Sequence, residues 1–198
     1  MKTNYVMIDM ENVSPENIEA LNQEWFRVYL FIGKNQTKLP LSIVKAVKKM
    51  GDRAEYIEMS GTGHNALDFH IAYYVGRISA LDKDSFFHIV SKDQGFLPLI
   101  AHLKEQGVFA DLVPSIDEIP ALEKMHLAKQ SLPRKIAHAK ECLAKPNAAR
   151  PRTRKTLANL VLTFFGKLIS EEEAATIVDR LVASGIVKED GTRIVYPQ

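Results

Sequence analysis

Tyr5-Val6-Met7-Ile8-Asp9-Met10-Glu11-Asn12 is the stretch on which the reading of this chain turns. Four apolar residues run without a break into a carboxylate, and an amide follows three positions later. A short continuous apolar run of this kind is the pattern of a parallel strand buried on both faces. Ligand sites in open α/β sheets lie just beyond the carboxyl ends of such strands. Asp9 and Asn12 fall at that place, so the question becomes which later residues return to the same edge.

Working outward, Ser14-Pro15-Glu16-Asn17 supplies an N-cap, a proline at the first helical position and an acidic first turn, which predicts a short helix to about residue 24. Residues 25–32 read as a second strand closed by Gly33, and 41–50 carry apolar residues at helical spacing before Gly51. A third strand over 55–59 leads through Ser60-Gly61-Thr62-Gly63-His64-Asn65 into a helix that starts near Ala66 and carries Asp68 in its first turn. The fourth strand, 86–90, ends in Ser91-Lys92-Asp93-Gln94-Gly95-Phe96. A helix over 97–106 and a fifth strand over 108–113 complete the alternation, which Pro114 closes.

Strands and helices alternating at this spacing predict a three-layer α/β/α domain around a parallel sheet. In strand order 3-2-1-4-5 the ends of strands one and four are neighbours at the switch point, and Asp9 then faces Asp93. The helix carrying Asp68 leads into strand four, so its first turn is expected at the same edge.

Composition sets the outer limits. Of 198 residues, 46% are hydrophobic and 25% charged, the balance of a globular protein. A single cysteine, Cys142, excludes an intrachain disulfide. With no secretory-type leader before the first strand and no apolar run near the length of a membrane span, a cytoplasmic protein without a membrane partner is expected. Charge is uneven along the chain. Residues 1–118 carry 12 Lys and Arg against 16 Asp and Glu, and the remainder carries 14 against 8.

That remainder is helical and basic, with a break at Ser131-Leu132-Pro133 and a loose stretch over 145–152. An amphipathic helix over 153–165 and a second one capped by Ser170, with Glu171, Glu172 and Glu173 in its first turn, follow. Asp190-Gly191 between two short β runs then signals a hairpin. Helix, helix, hairpin in this order resembles a winged helix-turn-helix. The expected organisation is a domain over 1–118, a basic helical linker over 119–152 and a winged-helix-like module over 153–198.

Three carboxylates converging on one edge repel one another unless a cation holds them, and hard oxygen ligands select Mg²⁺ or Mn²⁺ over zinc. A cation there suits phosphodiester hydrolysis without a covalent nucleophile. Asn12 is placed to orient a water or the phosphate, and the Ser91 hydroxyl to support a ligand.

Ile8-Asp9-Met10-Glu11-Asn12, Asn65-Ala66-Leu67-Asp68 and Ser91-Lys92-Asp93-Gln94-Gly95-Phe96 with Pro98-Leu99 together resemble the NYN group of PIN-like ribonucleases, over roughly residues 4–114. The resemblance implies a PIN-like Rossmannoid fold and metal-dependent endoribonuclease activity. It implies Asp9, Asp68 and Asp93 as metal ligands, assisted by Asn12 and Ser91. Members commonly carry a further acid beside the second aspartate or two residues after the third, where this chain has Leu67, Phe69 and Gly95. Glu11 and Asp111 are possible fourth carboxylates, each weighed against a role as an ordinary solvated or edge-strand acid.

RNA is the expected partner. Lys34, Lys38 and Lys92 follow strand ends on the active edge, and Arg150, Arg152, Arg154 and Lys155 surround the loose stretch, a pattern that suits a grip on backbone phosphates. The same basic region is equally readable as a homodimer or protein-docking surface. A catalytically weak PIN-like RNA-binding subunit is the alternative to an enzyme. A small-molecule phosphohydrolase lacks the Asp-x-Asp pair it would need, because Glu11 holds the second position. No glycine-rich turn follows the first strand, so a dinucleotide fingerprint is absent. Gly61-Thr62-Gly63 reads as a loop before an anion nest, and His64, His70 and His88 read as loop, helix and strand residues.

Overall fold

A computed structural model describes residues 2–61, 63 and 65–197, and the chain divides into two compact units, residues 1–119 and 120–198. In the first, β1 (Asn4–Asp9), β2 (Phe26–Ile32), β3 (Ala54–Glu58), β4 (Phe86–Val90) and β5 (Phe109–Val113) form one sheet. Every neighbouring pair is parallel and the order is β3-β2-β1-β4-β5, as the sequence predicts. β1 is central, and Val6, Met7, Ile8 and Asp9 are all buried, which is why its apolar residues run continuously.

Helices α1 (Leu41–Met50), α2 (Ala66–Leu81) and α3 (Leu97–Glu105) connect the strands. Leu67, Ile71 and Val75 of α2 and Ile100 and Leu103 of α3 pack with Met7, Phe31, Ile57, Phe87, Ile89 and Ala110 in one core. Outside that cluster, Ile43, Ala46 and Met50 of α1 are also buried. Side chains alternate across the sheet, so Val6, Ile8 and Leu30, likewise buried and outside that cluster, belong to its other face.

The helix expected after Ser14 is a correction. Only a single 3-10 turn forms, at Ile18–Leu21. That turn buries Ile18 and Leu21, which the three-residue repeat of a 3-10 helix places on one side. Strand and helix ends elsewhere shift by a residue or so.

The second unit holds α4 (Pro120–Ala128), α5 (Leu132–Ala144), α6 (Arg154–Phe164), α7 (Glu171–Ala183) and the antiparallel hairpin β6 (Lys188–Asp190) and β7 (Arg193–Val195). Ala139 and Leu143 of α5 sit in the same core as Leu157, Val161, Phe165, Ile177 and Leu181. Residues 119–152 are therefore largely helices built into this unit, with the irregular stretch confined to the end of that range. Thr153 caps α6 in a reciprocal capping box with Thr156, and Ser170 caps α7 through the N–H of Glu173. Thr153 also bridges Arg193, adding an extended residue to the hairpin. Lys135 is buried against Glu173, an ion pair that ties α5 to the first turn of α7. No helix among the described residues is long and apolar enough to cross a membrane.

Candidate functional site

Asp9 closes β1 at the switch point, where β1 lies between β2 and β4, and its side chain is fully buried. Such a carboxylate needs donors, and it has four. Oδ1 accepts the backbone N–H of Glu11 at 3.0 Å and of Asn12 at 3.2 Å. Oδ2 accepts the Asn12 side-chain amide and the Ser91 hydroxyl, each at 2.7 Å. A carboxylate offers about four lone-pair sites, so Asp9 is saturated by the chain itself.

Ser91 follows β4 directly and is buried. Besides donating to Asp9, its Oγ accepts the N–H of Asp93 at 3.1 Å. Asp93 Oδ1 accepts the N–H of Gly95 at 2.7 Å, which caps the turn entering α3. A Cβ on Gly95 would come within 3.1 Å of that same oxygen. One connected chain of hydrogen bonds thus joins Asn12, Asp9, Ser91 and Asp93 across two adjacent strand ends. Asp93 is half-buried and Lys92 exposed.

Asp68 lies in the first turn of α2, half-buried. Asn65 enters the helix from the left-handed region at φ 60°, a conformation asparagine adopts more readily than most residues. The Ser60 hydroxyl at the end of β3 lies 3.4 Å from His70 Nε2, which fixes the flank of α2 that faces β3. Successive helical residues turn by about 100°, so Asp68, two positions from His70, occupies the opposite flank of α2. His64 and Thr62 of the preceding loop lie outside the described residues.

Both fourth-carboxylate candidates are placed elsewhere. Glu11 lies over the end of β2, where a Cβ on Gly33 would sit 1.9 Å from its Oε1, whereas β4 and Asp93 are on the other side of β1. Asp111 Oδ1 pairs with His88 Nδ1 at 2.8 Å, and His88 Nε2 contacts Asn4 Oδ1 at 2.9 Å. His88 is the centre of a buried polar network and Asp111 serves it from the neighbouring strand, a partnership that separation by 23 positions hides from the sequence.

The basic candidates divide as well. Arg150 is held by the Leu143 carbonyl at 2.8 Å and lies over the Tyr196 ring at 4.9 Å. Arg154 pairs with Asp179 and Glu189, joining α6 to α7 and the hairpin. These two guanidinium groups hold the second unit together. Lys34, Arg152 and Lys155 are exposed.

The donor set at the switch point consists of carboxylates, an amide and a hydroxyl, all hard oxygen chemistry that fits Mg²⁺ or Mn²⁺. The arrangement does not already enclose an ion: among the described residues no three His, Cys, Asp or Glu side chains are grouped closely enough to hold one. The feature sequence reasoning missed is Gln36, whose side-chain oxygen is buried without a partner just past β2. Polar and loop-borne, it carries no periodic signal that could have revealed this.

No curated protein and no solved structure matches the chain. Residues 3–112 match the family model of the PIN domain, a family generally of nucleases that typically use divalent metal ions. The match spans more than half of the chain and reaches from β1 into β5, so the chain belongs to the PIN domain family.

Proposed function

We propose that this chain is a metal-dependent endoribonuclease, an NYN-type member of its family acting in the cytoplasm. The observation that carries the reading is the hydrogen-bonded chain from Asn12 through Asp9 and Ser91 to Asp93, which presents acids from two adjacent strand ends at the switch point. Asp9, Asp68 and Asp93 would hold Mg²⁺ or Mn²⁺, Asp9 by exchanging the hydrogen bond from the exposed Asn12 amide for the ion. Such an ion supplies positive charge to the attacking water and to the leaving oxygen of the phosphodiester.

The chain's own residues do the positioning. Ser91 fixes Asp93 through its backbone N–H while holding Asp9, so the two acids share one rigid support. Asn12 is exposed at the mouth of the site and donates one amide N–H to Asp9, which leaves its other polar atoms for a water or a phosphate oxygen. Lys34 and Lys92 meet flanking phosphates, and Arg152 and Lys155 add a grip from the second unit. The order α5, α6, α7 and hairpin, with Thr153 bridging Arg193, supports a winged-helix reading of that unit. The same surface is available to a second copy or a protein partner.

A second reading, an RNA-binding subunit without turnover, draws on one observation: Asp9 has every lone-pair site filled by the chain. Incubating structured and single-stranded RNAs with wild type and Asp93→Asn, in Mn²⁺, Mg²⁺ or EDTA, separates the two. Metal-dependent cutting lost in the variant is expected. Binding by both proteins with no cutting by either would transfer the function to the second reading.

A further inference from the structure

Beside the switch point, at the carboxyl ends of β2 and β3, the first unit forms a cavity of about 340 Å³. Ile32, Leu39 and Met59 give it apolar walls, Gln36 and Glu58 give it polar ones, and the exposed Lys34 stands at its rim. Gln36 is fixed by a turn in which its N–H donates to the Gly33 carbonyl at 2.9 Å. Its side-chain oxygen is buried and has no hydrogen-bond partner among the described residues. Glu11 packs over Gly33, so the loop that carries Asn12 borders the cavity.

We propose that this cavity is a nucleobase subsite that takes an adenine of single-stranded RNA, read by the Gln36 amide; the assignment rests on the ribonuclease reading. Buried acceptors in folded proteins are almost always paired, and this unpaired one belongs to a side chain that lines the cavity. The glutamine terminal torsion is broad, so a modest rotation turns the oxygen inward. Adenine presents an N6 amino donor beside the N7 acceptor, the pair a glutamine amide meets with two hydrogen bonds. Uracil presents the O4 acceptor on that edge and guanine presents two acceptors. Either can accept from the Gln36 amide nitrogen, but neither offers a donor on that edge to the Gln36 oxygen or the Glu58 carboxylate.

Location fits a substrate subsite. Neighbouring strands lie about 4.8 Å apart, so two spacings, about 10 Å, separate the β1–β4 boundary from the β2–β3 boundary. Extended RNA crosses that distance within a nucleotide or two. The apolar walls cover the ring faces and Lys34 meets the adjoining phosphate.

The test is fluorescence anisotropy of labelled hexamers of adenylate, cytidylate and uridylate with the full chain carrying Asp93→Asn, alone and combined with Gln36→Leu. Phosphate contacts from the second unit are common to all three hexamers and cancel in the ratios. Adenylate is expected to bind about tenfold more tightly than uridylate, as one bidentate base contact implies, and Gln36→Leu is expected to bring the two within about twofold. Gln36→Glu, which retains an acceptor, is expected to keep part of the preference. Equal affinities in the Asp93→Asn protein overturn the proposal however the Gln36 variants fold, as does tighter binding of cytidylate or a preference that survives Gln36→Leu. Wild type with Mg²⁺ or Mn²⁺ separates the two claims. An adenine preference without cleavage removes only the nuclease reading, and cleavage without a Gln36-dependent preference removes only the subsite.

Discussion

Removing an acid from an active site commonly stabilises a protein, because like charges no longer repel. Asp9→Asn is expected to do the opposite. Asp9 is fully buried and takes four hydrogen bonds. An asparagine oxygen can keep the two backbone N–H groups, but its amide end then faces the Asn12 amide donor to donor, and the Ser91 hydroxyl can only turn round to accept from it. Losing the charge-assisted bond from Ser91 and weakening the two backbone bonds costs about 4 kcal/mol gross. The neutral side chain avoids roughly 2 kcal/mol of desolvation that the buried carboxylate incurs. The net loss is about 2 kcal/mol, a fall of about 6–8 °C in Tm for a unit of this size. Asp93→Asn, half-buried and holding one N–H through its carboxylate, is expected to stay within about 0.5 kcal/mol. Trp25 is the only tryptophan and lies in the first unit, so its fluorescence during urea or thermal unfolding in EDTA follows that unit alone. An Asp9→Asn protein as stable as wild type would refute the claim that the chain saturates this carboxylate.

Two further outcomes follow from groups away from the site. Lys135 is buried and paired with Glu173, and replacing a buried ion pair by well-packed apolar residues is often neutral or stabilising; the double variant Lys135→Met, Glu173→Leu should therefore hold the second unit within about 1 kcal/mol, whereas Lys135→Met alone should cost more, measured by calorimetry. Burial raises the phenol pKa of Tyr5, Tyr29 and Tyr56 above the ordinary 10.0, with Asp82 adding to the effect at Tyr5 and Glu55 at Tyr29. The folded state then holds these protons more tightly than the unfolded chain, so their contribution is intact below pH 10 and is lost as pH climbs through the folded values. Urea midpoints from Trp25 fluorescence should fall across that alkaline range, while Asp82→Asn should bring the ionisation of Tyr5, followed by ultraviolet absorbance, to lower pH.

The sequence by itself determined the β/α alternation and the polar residues at the strand ends, and it was consistent with the strand order 3-2-1-4-5 that makes Asp9 and Asp93 neighbours. These are local signals: an apolar run long enough to be buried on both faces, alternation of β and α segments, and polar residues at strand ends, which topology alone brings to the switch point. Asp9 and Asp93 are 84 positions apart, yet the parallel order makes them neighbours before any side chain is placed. The helix expected after Ser14 forms only one 3-10 turn, because start signals describe how a helix begins, while packing against the rest of the fold decides whether it continues. What only the tertiary structure decided are the pairings between distant side chains. Arg150 and Arg154, read from sequence as phosphate contacts, also make contacts within the second unit, with Tyr196, Asp179 and Glu189. Asp111 looked like a spare ligand and belongs to His88. Glu11 turns toward Gly33, and Gln36 is left with a buried oxygen that no described residue satisfies. A charged or polar residue carries no local mark of its partner; contacts made across the fold decide whether it faces solvent, a neighbour or a cavity.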